Sequence, residues 1–283
     1  MQSQTEIVTQ LKNNTIMVEM TKTALRKKLG VSYLGGVTHS AKMNYSYKHN
    51  VATYCLYLAP ADMSGYNTCS NCLHCKQFCL NGSGRNKGDI IANGFEYSQI
   101  NRARIKKTKA FFEQKDLFMK LLILEIERER EIAKEKNMNF AIRLNGTSDL
   151  SPEEFTYNGK NILEIFSDVQ FYDYTKDFKR IALTKKYPNY DVTLSYNGYN
   201  DYVCKEYLKR GGKVAVVFFD KLPKKMWGYD VIDANGYDMR YLDPNSTIMG
   251  LHYHKTGTDY VNGKFIKPTT RFIVDNNDFR CEY

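Results

Sequence analysis

Tryptophan occurs once in this 283-residue chain, proline six times and histidine five times. So little proline rules out collagen-like and polyproline architectures, and an apolar content of 42% with 25% charge rules out a wholly disordered chain. Long hydrophobic runs are missing as well. The longest, such as residues 214–219, have the length of a strand, far short of the roughly 18 consecutive apolar residues of a membrane span. The opening residues MQSQTEIVTQLKNNTIM carry neither the basic nor the apolar segment of a secretory signal, so the expected location is the cytoplasm.

Acidic charge is also in short supply: 31 Asp and Glu stand against 41 Lys and Arg, a net charge of +10. That excess suits a nucleotide or nucleic acid as partner, and nothing points to a membrane. The cysteines number seven, an odd count that argues against a disulfide framework. Four of them fall between positions 69 and 79, which turns the reading toward metal.

No internal repeat and no Ser/Gly/Pro linker divides the chain, so one domain over 1–283 is expected. Its parts are a polar lead-in (1–30), a strand pair and Cys-rich loop (31–90), a βα core (91–257) and a C-terminal extension (258–283). A short basic helix is expected over 21–28. Alternating aromatic and polar residues over 43–58 predict the strand pair. Ala103, Phe111, Phe118, Leu121, Leu122, Ile126 and Ile132 recur at helical spacing and predict one long helix over 95–136. Short apolar runs then follow at 140–144, 169–172, 192–194, 214–218, 229–232 and 248–252, with a helix over 202–210 closed by Gly211 and Gly212. Strands alternating with helices indicate an α/β fold, a partial (β/α) barrel with a Cys-rich cluster-binding loop preceding a long helix.

In such folds ligands sit at the carboxyl ends of the strands. The residues there are Arg143, Asn145, Ser148 and Asp149 after the first run, Asp173 and Lys176 after the second, and Ser195 after the third. Taken alone, Asp149 in TSDLSPEE reads as a helix cap. Three successive runs ending this way predict a site, with Asp149, Asp173 and Lys176 as catalytic groups and Arg143, Asn145, Ser148 and Ser195 as cofactor contacts.

Cys69, Cys72, Cys75 and Cys79 form C-x2-C-x2-C-x3-C, the spacing with which soft thiolates from one turn-rich segment converge on an iron–sulfur core. A structural zinc, with His74 as an alternative ligand, fits the same residues, as do reduced thiols without metal. Cys55 is a possible extra ligand, while Cys204 and Cys281 read as small hydrophobes. Gly82–Gly88 lacks the phosphate-loop spacing and reads as a plain loop. His252 and His254 lie on one face of a strand and read as a substrate contact or a surface pair. Arg102, Arg104, Lys106, Lys107 and Lys109 open the long helix, either to hold phosphates or as an exposed face.

The segments FCLNGSGR, RARIKKTKAFF, RLNGTSDL, VQFYDYTK, NYDVTLSYN, VAVVFF, VIDANGYDMRYLDP and IMGLHYHKTG together resemble the phage gene product 88 family, in order from Cys69 to Gly257. The resemblance implies a phage or mobile-element origin and no particular activity. It also implies that three cysteines in C-x5-C-x3-C-L form correspond to Cys69, Cys75 and Cys79, leaving Cys72 as an addition. The chain departs from the family where Tyr196 or Asn197 replaces an acidic residue, and where a small-residue motif reads Gly250-Leu-His-Tyr-His-Lys-Thr-Gly257.

A more distant likeness of layout, a cysteine loop ahead of βα units, is to radical S-adenosylmethionine enzymes. There three thiolates hold a [4Fe-4S] cluster and S-adenosylmethionine takes the open iron, although the usual C-x3-C-x2-C order is missing here. The expectation is therefore an iron–sulfur enzyme of that type acting on a nucleotide or nucleic acid. The alternative is a nucleic-acid-binding phage protein whose zinc or cluster only staples a loop. Hydrolysis with a divalent metal on Asp149, Asp173 and Asp233 is a third reading.

Overall fold

The computed structural model describes residues 20–76, 79, 81, 89–91, 94–254, 260–261, 264–265, 270–275 and 277–283. The lead-in before Met20, the glycine loop 82–88 and the end of the small-residue motif at 255–257 lie outside them.

The first helix, α1 (Lys22–Leu29), starts where the Thr21 side chain accepts the Ala24 amide and stops at Gly30, whose φ of +65° suits glycine. Over 43–58 the expected strand pair is one helix and one strand. Ser40 caps α2 (Ala41–Lys48), which buries Met43 and Ser46 three residues apart, and β1 (Val51–Leu56) follows. The alternating tyrosines there give way to that three-residue spacing and its cap. The long helix is likewise two, α3 (Gln99–Glu113) and α4 (Lys115–Glu135), separated by the non-helical backbone of Gln114. Phe111 and Phe118 close on each other across the break with ring centroids 5.2 Å apart.

Every apolar run after residue 137 that was expected to be a strand is one: β2 (Asn139–Arg143), β3 (Gln170–Thr175), β4 (Tyr190–Ser195), β5 (Lys213–Phe218), β6 (Tyr229–Asp233) and β7 (Ile248–His252). Helix α5 (Asp201–Lys209) joins β4 to β5. Together with β1 they lie parallel in the order β1-β2-β3-β4-β5-β7-β6. The sheet stays open. Gly35–Gly36 pairs antiparallel with β1 on one side, and Lys225–Met226 pairs antiparallel with β6 on the other, so no barrel closes among the described residues.

One face of the sheet, with Tyr54, Leu56, Ile142, Phe171 and Val192, packs against α4 through Phe118, Leu121, Leu122 and Ile126. The alternation of a strand puts Thr53, Cys55, Arg143, Tyr172, Tyr174 and Thr193 on the other face. In register, Cys55 lies opposite Arg143, and Tyr174 opposite Thr193. No helix among the described residues is long and apolar enough to cross a membrane.

Candidate functional site at the strand ends

The loop after β2 folds back on the end of β1. The Gly146 amide donates to the Leu56 carbonyl at 2.9 Å, and a Cβ at Gly146 would meet the Tyr57 ring at 2.6 Å, so only glycine fits. Thr147 Oγ1 donates to the Leu58 carbonyl at 2.5 Å, and the Asp149 amide to the Thr68 carbonyl at 2.8 Å. These bonds fix the start of the cysteine segment at the carboxyl ends of β1 and β2.

Five of the expected site residues meet there, joined by bonds among themselves and to one further residue. Asp173 accepts the Asn145 amide at 3.0 Å and Asn145 Nδ2 at 2.9 Å, while Asn145 Oδ1 accepts Ser148 Oγ at 2.8 Å. Asp149 accepts the Lys176 amide at 2.9 Å, so it is not the cap that its surroundings in sequence suggest. The Pro152–Glu154 turn is capped by Ser151 instead. A residue without a sequence signal ties the group together. Arg180, 3% exposed, reaches Asp149 at 2.5 Å and Asp173 at 3.1 Å and also donates to the Tyr190 hydroxyl. Only the topology, which turns the chain back after β3, brings it to both acids. Arg143 stands apart from this group. Its partner is Asp238, which also accepts the Tyr174 hydroxyl at 3.0 Å and faces Lys42 at 3.6 Å. Ser195, at the end of β4, pairs in register with Ala215 of β5.

All the cysteines are free thiols. The amide of Cys72 donates to Cys69 and that of Cys75 to Cys72, a succession of tight turns. Burial pushes the Cys69 thiol up to about 11, helped by Asp149 and Cys79, and burial raises Cys79, helped by Cys75. Burial works against the Lys176 ammonium, but the neighbouring Cys75 and Asp149 outweigh burial and raise its pKa. Cys69, Cys75, Cys79 and Lys176 thus share one neighbourhood. Cys72 acts instead on Lys76, which is ion-paired with Asp62 in an exposed position. Among the described residues no three His, Cys, Asp or Glu side chains stand at metal-ligating separation. The side chain of His74 lies outside the described residues.

The sequence model of a family described as Gene product 88 matches residues 20–274. The chain belongs to the gene product 88 family. No curated protein and no solved structure matches it.

Cys55, the candidate extra ligand, is buried in β1, and its principal neighbours are Tyr57 and Arg143. His252 is exposed, with Nδ1 3.0 Å from the Asp220 carbonyl oxygen, and His254 is exposed too, an arrangement that matches a surface pair. The basic run of α3 divides into two faces. Arg102, Lys106 and Lys109 are exposed, whereas Arg104 and Lys107 are 8% and 6% exposed and turn inward. Lys107 Nζ donates to the Leu34 carbonyl at 2.9 Å and lies 4.2 Å from the centre of the Tyr33 ring. Arg104 donates to Asn81 Oδ1 and lies 5.4 Å from the centre of the Tyr57 ring.

Proposed function

We propose that this gene product 88 protein is an iron–sulfur protein that carries its centre on Cys69, Cys75 and Cys79 and takes a nucleotide or nucleic acid as partner. The supporting observation is the coupling of three thiols to one cation: Cys69, Cys75 and Cys79 interact with Lys176 after β3, whereas Cys72 acts on Lys76.

The donor set fits such a centre chemically. It consists of soft sulfur, free of disulfides, half-buried, and delivered by successive turns pinned to the strand ends. Because the thiols lie near each other but short of ligating separation, loading would draw the segment inward and release thiol protons. An iron–sulfur centre, when bound, supplies one-electron chemistry. The ammonium of Lys176 would offset the negative charge of thiolates gathered beside it, and Asp149 holds the backbone of Lys176 in place.

A second reading rests on its own observation. Asp149, Asp173, Asn145 and Ser148 are consumed by bonds to each other and to Arg180. Such a network favours a structural strand-end platform, with zinc or cluster stapling the loop and no catalysis. S-adenosylmethionine as cosubstrate requires an open iron, which three thiolates leave and four do not.

Metal analysis of protein prepared without oxygen tests both readings. Iron with acid-labile sulfide is the expected result; one zinc per chain and no sulfide selects the staple. Cys72→Ser should keep the metal and Cys69→Ser should lose it. Equal loss in the two variants would mean four-thiolate ligation and would remove the cosubstrate.

A further inference from the structure

Arg104 and Lys107 are buried cations without a carboxylate partner. Salt bridges elsewhere are common, but among the described residues neither side chain takes part in one. The nearest acid to Lys107, Glu125, is saturated. It accepts Arg26 through two nitrogens at 2.7 and 3.0 Å, the Leu34 and Gly35 amides at 2.9 and 3.3 Å, and the Tyr54 hydroxyl at 2.9 Å. Arg104 Nε is buried with no hydrogen-bond partner, as is Nε of Arg143, Arg180 and Arg240, but those three guanidinium groups are paired with carboxylates and that of Arg104 is not. A buried charge costs free energy unless it is paired, and a buried N–H without an acceptor costs more.

Around the pair lie the Leu34 carbonyl, the Asn81 amide oxygen, the Tyr33, His39 and Tyr57 rings and the thiols of Cys55 and Cys79, with no carboxylate among the described residues bonded to either cation. Two cations one helical turn apart, an unused guanidinium N–H and spare ammonium N–H bonds form a receptor for a dianion. A carboxylate would balance only one of the charges. We infer that Arg104 and Lys107, beside Cys55 and Tyr57 at the carboxyl end of β1, bind the phosphate group of a small ligand. A planar fork and a point charge are the usual pair for a terminal phosphate. Cations this buried suit a terminal phosphomonoester better than a continuous phosphodiester chain. The inference rests on the nucleotide part of the function proposed above and not on its metal.

Titration calorimetry of the full chain at constant ionic strength tests the site with four probes: inorganic phosphate, adenosine 5′-monophosphate, sodium chloride and an unphosphorylated deoxythymidine decamer. Heat with phosphate or the monophosphate, absent with chloride, is expected, and Arg104→Gln and Lys107→Met should each weaken it at least tenfold while circular dichroism stays unchanged. The tighter of the two phosphate probes identifies the source as free phosphate or nucleotide. Arg104→Gln keeps the amide-bonding capacity toward Asn81, so it serves if Lys107→Met fails to fold. Cys69→Ser, which should lose the metal, should keep the phosphate heat. Phosphate indistinguishable from chloride, binding unchanged in both cation variants, decamer binding lost with them, or phosphate heat lost in Cys69→Ser would each overturn the assignment.

Discussion

Two groups of charges stand at the carboxyl ends of the same parallel strands. Around Arg180, one guanidinium meets two carboxylates, and Asn145 supplies the donors that remain. Around Arg104 and Lys107, two cations of similar burial meet a carbonyl, an amide oxygen and two aromatic rings. In the first group the buried cation meets carboxylates as the chain folds, although Arg180 Nε has no hydrogen-bond partner. In the second, neither cation has an ion-pair partner among the described residues. A buried pair holds its place because each member neutralises the other, so residues that resemble an active site can be fully spent on structure. Cations left unneutralised in the interior are the better sign of a ligand.

The largest effect should come from breaking the completed group. Arg180→Met leaves Asp173, 1% exposed, without its ion pair, facing the Asn145 hydrogen bonds and the charge of Arg143. Removing one member of a buried pair costs about 3–5 kcal/mol, so urea denaturation should show a loss of that size. A loss below about 1 kcal/mol, the range of an exposed pair, would mean that the group is not the closed unit described.

The open group should respond in the opposite direction. Burial, reinforced by the charge of Arg104, lowers the Lys107 pKa from its ordinary 10.5 to about 8, with Glu125 opposing. Below pH 8 the ammonium is charged both folded and unfolded, and the folded state bears the whole cost. Between 8 and 10.5 the folded form has given up a proton that the unfolded form keeps, so stability should rise with pH across that window. Lys107→Met should abolish the rise and, at neutral pH without phosphate, stabilise the protein by about 1–3 kcal/mol, as replacement of buried charge by apolar side chains can do. Denaturant midpoints measured from pH 7 to 10.5 check both outcomes, and a destabilised variant with an unchanged slope would place Lys107 with the completed group.

The contrast between these groups was only half legible in the sequence. The strand ends could be read because each apolar run finishes in a polar cluster, and Asn145, Ser148, Asp149 and Asp173 do assemble there. Their mutual satisfaction could not be read, since Arg180 reaches them only through the turn after β3. Alternating tyrosines hid α2 because its buried face carries only Met43 and Ser46. The break between α3 and α4 leaves no glycine or proline as a mark; Gln114 takes it up, with Phe111 and Phe118 buried on either side. On α3 the five cations look alike in sequence, and only the position of the sheet decides which of them point inward.

That last distinction yields the smallest expected effect and the strictest control. Lys106 and Lys107 are adjacent on one helix and carry the same charge, so any account based on net charge or helix propensity treats them alike. Lys106 is exposed and Lys107 is buried. Surface substitutions away from special contacts stay within about 0.5 kcal/mol. Lys106→Met should therefore leave the denaturant midpoint, its pH slope and the phosphate heat of the wild-type chain unaltered. If it reproduced the Lys107→Met result in any of the three, the responsible quantity would be the general charge of α3. The difference between the closed and the open group would then have no bearing on binding.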